Sequence, residues 1–161
     1  FKEGDIIYGG RCDAKTRFIE PTLIENVPLD SPLMTEEIFG PVFPIITLDD
    51  TNKSFNDKVI EFVNEREKPL AFYYFGKESE GWDIIRRTSS GGGCINDVIM
   101  HIANKNAPFG GVGNSGMGRY HDKDSFEAFS HTRSIIATGT WIDLPFRYMP
   151  YKMFGLVKKI L

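Results

Sequence analysis

The glycine-rich stretch at residues 108–121 is the sequence feature that most restricts how this chain can fold. Five glycines lie within its first eleven residues, and no other segment has so restricted a composition. Glycine at this density indicates backbone with positive φ angles, or backbone that another group approaches closely. The stretch also contains Gly111-x-Gly113-x-x-Gly116, which has the spacing of a dinucleotide-binding fingerprint.

The surroundings of these glycines do not fit a dinucleotide-binding turn. Such a turn follows a strand directly, opens a helix, and is followed by an acidic residue about 20 positions further on. Here residues 105–108 separate the glycines from the preceding extended run, and the next helix is predicted at residues 124–130, with Asp124 as its cap. The position about 20 residues after Gly116 falls in Ile135-Ile136-Ala137, which has no acid. The sequence therefore disfavours a phosphate cradle here.

The overall composition is that of an ordinary globular protein. Apolar residues make up 41% of the 161 residues and charged residues 25%, and the net charge of −3 gives no indication of nucleic-acid binding. No apolar run is long enough to span a membrane. Cys12 and Cys94 have no metal-ligand spacing with each other or with the three histidines. This pattern predicts free thiols in a reducing, cytoplasmic compartment and no metal site.

The middle of the chain has the alternation of a βαβ protein. Extended runs are predicted at residues 42–48, 70–75 and 94–102, and helices at 50–67 and 77–88. Short connections between these elements predict an α/β fold with a parallel sheet. In such sheets ligands bind beyond the carboxyl ends of the strands, so the loops after Leu48, Phe75 and Met100 are candidate binding loops.

A carboxylate and an aromatic ring lie two residues apart in Glu36-Glu37-Ile38-Phe39-Gly40-Pro41. The Gly-Pro turn that follows can present both side chains to one ligand. A carboxylate accepts two hydrogen bonds and suits a ribose diol, while an aromatic ring suits a flat heterocycle. A solvated acidic loop is the other interpretation of this spacing.

Cys94 follows Gly91-Gly92-Gly93, and the histidines are candidate bases for it. A nucleophilic thiol needs a base or a helix N-terminus beside it. Because Cys94 lies at the start of a predicted strand, the preferred interpretation is a buried, inert thiol. His121, beside Asp122, is interpreted as a hydrogen-bonded loop histidine.

Several motifs, taken in order, resemble the C-terminal part of an aldehyde dehydrogenase. The longest are residues 36–42 and residues 108–118. Shorter motifs resemble the class 3 and fatty aldehyde dehydrogenase branch of that superfamily, and they lie at residues 17–22, 89–92, 96–98, 120–121, 125–126 and 129–131. Together they cover residues 5–139, nearly the whole chain.

The resemblance implies an α/β catalytic domain that acts with NAD or NADP on a fatty or aromatic aldehyde. In this family a cysteine thiolate adds to the aldehyde, hydride passes to the cofactor, and a glutamate-activated water hydrolyses the thioester to the acid. Glu37 matches the family's nicotinamide-ribose ligand, and Phe39 matches its nicotinamide-side aromatic residue. Positions that line or support the active site match Asn96, Phe109, Gly110, Gly111 and His121.

The resemblance also implies that the catalytic residues are missing. The family's nucleophilic cysteine, general-base glutamate and oxyanion asparagine have no counterpart here, and Cys94 aligns with a position that the family does not use as its nucleophile. We therefore expect a fragment that is inactive alone, with residues 1–132 forming a partial catalytic domain that includes the edge of the cofactor domain. The alternatives are a truncated, non-catalytic paralogue that serves as a dimerisation or binding module, and a small thiol enzyme built on Cys94.

The last part of the chain is expected to serve assembly. By resemblance, residues 133–140 form an oligomerisation strand used in homodimers, and residues 141–161 form a C-terminal tail. Residues 151–161 have the pattern of an amphipathic helix with Lys152, Lys158 and Lys159 opposite its apolar side. Such a helix packs on its own protein or lies peripherally on a membrane surface, and the pattern leaves both open.

Overall fold

Small sheets, rather than one continuous parallel sheet, organise the first part of this protein. The computed structural model describes residues 3–49, 51–143, 147–150 and 153–159, and it divides into two units with a boundary between Ala128 and Phe129. The strands are β1 (Asp5–Tyr8), β2 (Cys12–Asp13), β3 (Phe18–Ile19), β4 (Thr22–Glu25), β5 (Val42–Pro44), β6 (Ala71–Tyr74) and β7 (Gly92–Ile95). The helices of the first unit are α1 (Pro32–Thr35), α2 (Phe55–Asn64), α3 (Glu78–Arg87), α4 (Met100–Ala103) and α5 (Asp122–Ala128).

The first sheet has the strand order β1-β4-β5, with β1 antiparallel and β5 parallel to the central strand β4. Thr22 and Ile24 of β4 are buried, because alternate side chains of a strand point to the same face. The buried Thr22 hydroxyl accepts a hydrogen bond from the Gly10 N–H at 3.0 Å and donates one to the Glu20 carbonyl at 2.7 Å. This face of β4 is therefore buried without leaving that polar group unpaired.

Strand β6, helix α3 and strand β7 form a parallel βαβ unit, as the sequence predicts. Acidic residues in the first turn of α3 and arginines in its last turn complement the helix dipole. Ile84 of α3 and Ile60 of α2 are buried. Arg87 at the end of α3 is ion-paired with Asp57 in the first turn of α2, at 2.6 Å, so charge as well as apolar burial joins the two helices.

Three predicted elements are shorter than their patterns indicate. The run 42–48 is a strand only as far as Pro44, and it pairs with β4 rather than with β6. As β5 lies at the edge of its sheet, a proline is tolerated there. The strand predicted at residues 94–102 is wrong beyond Ile95. Asn96 and Ile99 have φ angles of 57° and 67°, and the chain turns there into α4. Helix α2 begins after Ser54, which caps it by accepting a hydrogen bond from the Asp57 N–H.

The second unit contains little regular structure in its described part. The strand predicted at 133–140 is not found, since residues 131–139 are irregular. A strand needs a neighbour for its hydrogen bonds, and no strand of the described ranges pairs with this segment. Helix α6 (Phe154–Val157) lies inside the predicted tail helix, whose residues 151, 152, 160 and 161 fall outside the described residues. None of the described helices is long and apolar enough to cross a membrane.

The glycine-rich stretch is held against the βαβ unit at Gly91, the residue before β7. A Cβ atom at Gly91 would lie 2.3 Å from the Gly110 carbonyl oxygen and 2.6 Å from that of Leu70. Backbone from two separate segments therefore fills the space that a side chain would need. Position 91 requires glycine for this close approach.

We predict that Gly91→Ala lowers the free energy of unfolding by about 1–3 kcal/mol, because the added methyl group meets backbone atoms that cannot rotate away. Denaturant unfolding followed by circular dichroism measures the change. Gly40→Ala is the matched control, since a Cβ there has no neighbour within 4 Å, and it is expected to change stability by less than about 0.5 kcal/mol. Equal losses in the two variants would contradict the close packing at Gly91.

Candidate functional site

The glycine-rich stretch forms a closed loop. The Phe109 N–H donates to the Tyr120 carbonyl at 3.0 Å, and the Tyr120 N–H donates to the Phe109 carbonyl at 2.9 Å. Within the loop, a Cβ atom at Gly110 would lie 2.2 Å from the Gly118 carbonyl oxygen, and one at Gly111 would lie 2.2 Å from that of Ser115. Gly110 and Gly111 are therefore required by backbone packing inside the loop.

Two N–H groups around the fingerprint-like glycines, those of Val112 and Gly116, are used inside the loop. Ser115 lies in a short 3-10 turn, and its hydroxyl accepts from the Val112 N–H at 3.0 Å and donates to the Val112 carbonyl at 2.9 Å. The Gly116 N–H donates to the Gly113 carbonyl at 3.3 Å. Helix α5 begins later, at Asp122. A dinucleotide-binding turn leads directly into an α-helix whose N-terminus faces the phosphates, and this loop does not.

The Phe109 ring is the centre of an aromatic cluster. Its centroid lies 5.6 Å from that of Tyr120, 5.4 Å from that of His101 and 6.2 Å from that of His121. The Tyr73 ring of β6 contacts His101 edge-on at 5.6 Å. Edge and tilted contacts of this kind are the favoured arrangement of aromatic rings. The structure thus brings Phe109 and His121 together and adds His101 and Tyr73 to them.

His121 is a hydrogen-bonded loop histidine, as predicted. Its Nδ1 lies 2.8 Å from the Ala107 carbonyl oxygen, which can only accept, so Nδ1 carries the proton in this contact. In the neutral ring Nε2 is then the free acceptor. The His121 N–H donates to the Ser125 hydroxyl at 3.0 Å, so Ser125 caps the start of α5. The predicted cap, Asp124, lies inside the helix instead, where it pairs with Arg119 at 2.7 Å.

Asn96 joins the carboxyl ends of β6 and β7. Its Oδ1 accepts from the Gly76 N–H at 2.8 Å, and its Nδ2 donates to the Gly76 carbonyl at 2.9 Å. The Asn96 N–H also donates to the Tyr74 carbonyl at 2.6 Å. Nearby, burial and the Glu80 carboxylate raise the pKa of Tyr74 above its ordinary value. The side-chain amide of Asn96 is thus bound to the backbone, an arrangement that supports the loops at this end of the sheet.

Glu37 and Phe39 follow helix α1 and lie in irregular chain. Glu37 is exposed, and the Phe39 ring is 91% exposed. Neither makes a hydrogen bond, ion pair or ring contact with the Phe109 cluster in the part of the chain that the structure describes. An available carboxylate and an uncovered ring two residues apart fit a ribose diol and a flat heterocycle.

Cys94 is less buried than predicted. It is partly exposed in β7, and its Sγ lies 3.7 Å from His101 Nδ1. Spacing does not indicate this contact, because the run 94–102 reads as continuous strand. The reversal occurs at Ile99, and a β-branched residue with positive φ gives no turn signal. Over the described residues, no group of three or more His, Cys, Asp or Glu side chains is placed to hold a metal ion.

Comparison with known proteins identifies the class to which this fold belongs. The model of the aldehyde dehydrogenase family matches residues 2–135. The chain therefore belongs to the aldehyde dehydrogenase family.

The relatives include members of aldehyde dehydrogenase family 3. The chain is 46% identical over 149 residues to 4,4'-diaponeurosporen-aldehyde dehydrogenase of Staphylococcus aureus, covering 92% of this chain and 31% of that protein. It is 51% identical over 132 residues to the dimeric NADP-preferring aldehyde dehydrogenase of Mus musculus, a match that covers 81% of this chain and 28% of that protein. The solved substrate-bound state of Staphylococcus aureus AldH matches with a TM-score of 0.79 and 44% identity, over 96% of this chain and 33% of that one. The chain thus spans about a third of the length of these relatives.

We predict that Asn96→Ala lowers the free energy of unfolding by about 1–2 kcal/mol, because two hydrogen bonds are lost and alanine is forced into the left-handed region. Thermal unfolding followed by circular dichroism measures the effect. Asn114→Ala is the control, as Asn114 is exposed and its side chain makes no hydrogen bond within the described residues. A loss in Asn96→Ala no larger than in Asn114→Ala would contradict the supporting role.

Proposed function

We propose that this chain is the C-terminal portion of an NAD(P)-dependent aldehyde dehydrogenase of the class 3 and fatty aldehyde dehydrogenase branch. The complete enzyme oxidises a fatty or aromatic aldehyde to the carboxylic acid in the cytoplasm. The observation that carries the proposal is the family match across residues 2–135.

The apolar surface of the chain supports its being part of a larger catalytic domain. Among the described residues, the buried apolar side chains are Ile24, Val27, Ile60 and Ile84, whereas Phe43 is 64% exposed and Phe75 is 65% exposed. The β6–β7 sheet has two strands, fewer than the three or more that independent stability usually needs. Exposed apolar surface on this scale is typical of faces that another part of a protein covers.

Glu37 and Phe39 are the residues proposed to hold the cofactor. The Glu37 carboxylate accepts hydrogen bonds from the nicotinamide ribose, and the exposed Phe39 ring lies against the nicotinamide. When bound, NAD or NADP supplies the acceptor for the hydride of the aldehyde. One relative is named NADP-preferring, which agrees with use of a nicotinamide cofactor.

The loop that carries Phe109, Gly110 and Gly111 is proposed to line the active-site region. Its packed glycine backbone keeps the loop rigid, so the Phe109 ring stays fixed between His101 and Tyr120. An aromatic wall of this kind favours an apolar aldehyde over a charged one. His121, held by the Ala107 carbonyl, supports the same ring.

A homodimer is the proposed assembly, formed through residues 133–140. Ile135 and Ile136 are 73% and 89% exposed. An extended apolar segment gains both backbone hydrogen bonds and apolar burial when it pairs with a strand of another copy. One relative is named dimeric. Residues 151–161 are proposed to contact a membrane surface peripherally, which the exposed Phe154, Lys158 and Lys159 support.

We predict that the isolated chain forms no NADH or NADPH with any aldehyde, because the family's nucleophilic cysteine has no counterpart in it. The absorbance of the reduced nicotinamide measures this. A chimaera that joins the upstream two thirds of the Staphylococcus aureus relative to this chain is expected to be active. Within it, Glu37→Gln raises the KM for the cofactor at least about tenfold, the equivalent of about 1.5 kcal/mol for a hydrogen bond to a charged group.

Glu36→Gln is the control for this experiment, since Glu36 is also exposed and precedes Glu37 directly. It is expected to leave the KM for the cofactor unchanged. Equal effects of the two variants would contradict the role given to Glu37, and turnover by the isolated chain would contradict its inactivity. A folded but inactive chimaera, together with binding of this chain to an intact relative, would instead favour a non-catalytic dimerisation module.

We predict that the double variant Ile135→Asp/Ile136→Asp weakens dimerisation at least about tenfold, or about 1.4 kcal/mol, because two carboxylates lose water in the interface. Sedimentation equilibrium measures the dissociation constant. Met117→Asp, at a residue that is 99% exposed in the other unit, controls for added charge and is expected to leave dimerisation unchanged. Unaltered association of the double variant would place the interface elsewhere.

A further inference from the structure

We infer that Cys94 and His101 form a reactive thiol–imidazole pair that takes up α,β-unsaturated carbonyl compounds by conjugate addition. The inference rests on the geometry around β7 and α4 and not on the proposed aldehyde oxidation. Cys94 is a different residue from the family's nucleophile, so the two chemistries are separable.

The imidazole is positioned over the strand by packing. Alternation along β7 places positions 92 and 94 on the same face. Gly92 has no side chain there, and a Cβ would lie 2.8 Å from His101 Cδ2. Tyr73 and Phe109 contact the ring at centroid distances of 5.6 and 5.4 Å. His101 is therefore held with Nδ1 facing the sulfur, at 3.7 Å.

The two ring nitrogens of His101 have different surroundings. His101 Nε2 is buried and has no hydrogen-bond partner in the described part of the chain. Nδ1, by contrast, has Cys94 Sγ as its neighbour. In the neutral ring that carries its proton on Nε2, Nδ1 is the nitrogen that can accept the thiol proton, so the two side chains are placed as a nucleophile and a base.

A cleft lies along β7 at Cys94. It has a volume of about 630 Å³, and its lining includes Phe72, Trp82, Ile85, Ser90, Cys94 and Asn96. The aromatic and aliphatic side chains suit the hydrocarbon part of an unsaturated carbonyl compound. Soft electrophiles of this class react with sulfur in preference to oxygen or nitrogen nucleophiles.

The addition is balanced without an oxidant or a reductant. The S–H bond of Cys94 breaks, and its proton moves to His101 Nδ1 as the sulfur bonds to the β-carbon of the acceptor. The π electrons of the C=C bond move toward the carbonyl oxygen to give an enolate. The enolate then takes a proton from the imidazolium, which leaves a thioether and a neutral histidine.

Cys12 provides an internal comparison. It is an exposed free thiol in β2, and it has no histidine contact within the described residues. Access alone makes Cys12 the faster thiol, because Cys94 is partly covered. Faster reaction at Cys94 therefore reports activation rather than exposure.

The test is a timed reaction of the full 161-residue chain with limiting N-ethylmaleimide, an α,β-unsaturated carbonyl compound, followed by peptide mass spectrometry of both cysteines. Cys94 is expected to react at least about tenfold faster than Cys12, since partial burial offsets some of the roughly 100-fold that a general base contributes. His101→Phe keeps a ring between Tyr73 and Phe109 but removes the base, and it is expected to abolish the faster reaction of Cys94 relative to Cys12. His131→Phe, at an exposed histidine in the second unit, is expected to preserve it.

Two results would overturn the inference. One is that Cys94 reacts no faster than Cys12, and the other is that Cys94 still reacts faster than Cys12 in folded His101→Phe. If His101→Phe does not fold, the native chain is compared with the same chain in guanidinium chloride. The pair predicts a Cys94-to-Cys12 rate ratio that falls at least about tenfold on unfolding, since the base is then lost. A ratio that does not fall also overturns the inference.

Discussion

The close approach of backbone at Gly91 is the constraint on which the candidate site depends. Position 91 lies between the Leu70 and Gly110 carbonyls, and a single methyl group would occupy space that both oxygens need. The contact fixes the closed loop against the start of β7. Phe109, at the base of that loop, is thereby held beside His101 and Tyr120. Because Gly91 has no side chain, the two backbone segments approach closely there, and this approach positions the aromatic rings.

The sequence predicts local elements well where apolar runs of strand length flank a segment with helical periodicity. The βαβ unit formed by β6, α3 and β7 follows from two apolar runs around an amphipathic helix, and its parallel pairing is confirmed. The hydrogen-bonded state of His121 is confirmed as well. Long motifs in order indicate the aldehyde dehydrogenase family, and the match to residues 2–135 confirms it.

What the sequence could not predict depends on long-range partners and on unusual φ angles. Val42–Pro44 reads as the first strand of the βαβ series, yet it pairs with β4, because pairing is decided by tertiary packing rather than by the run itself. The positive φ of Ile99 brings His101 to Cys94, and a β-branched residue gives no warning of it. The segment 133–140 has the composition of a strand, but a strand forms only where a neighbour supplies hydrogen bonds.

The two hydrogen bonds between the Asn96 side-chain amide and the Gly76 backbone, called here the amide clamp, have a consequence for folding. The two residues are 20 positions apart, and the clamp closes the chain around α3 at the same end where β6 and β7 finish. Closing so short a loop costs less chain entropy than joining distant segments, and contacts of low sequence separation favour fast folding. The hydrogen bonds between Asn96 and Gly76 therefore close the βαβ unit within a short stretch of sequence.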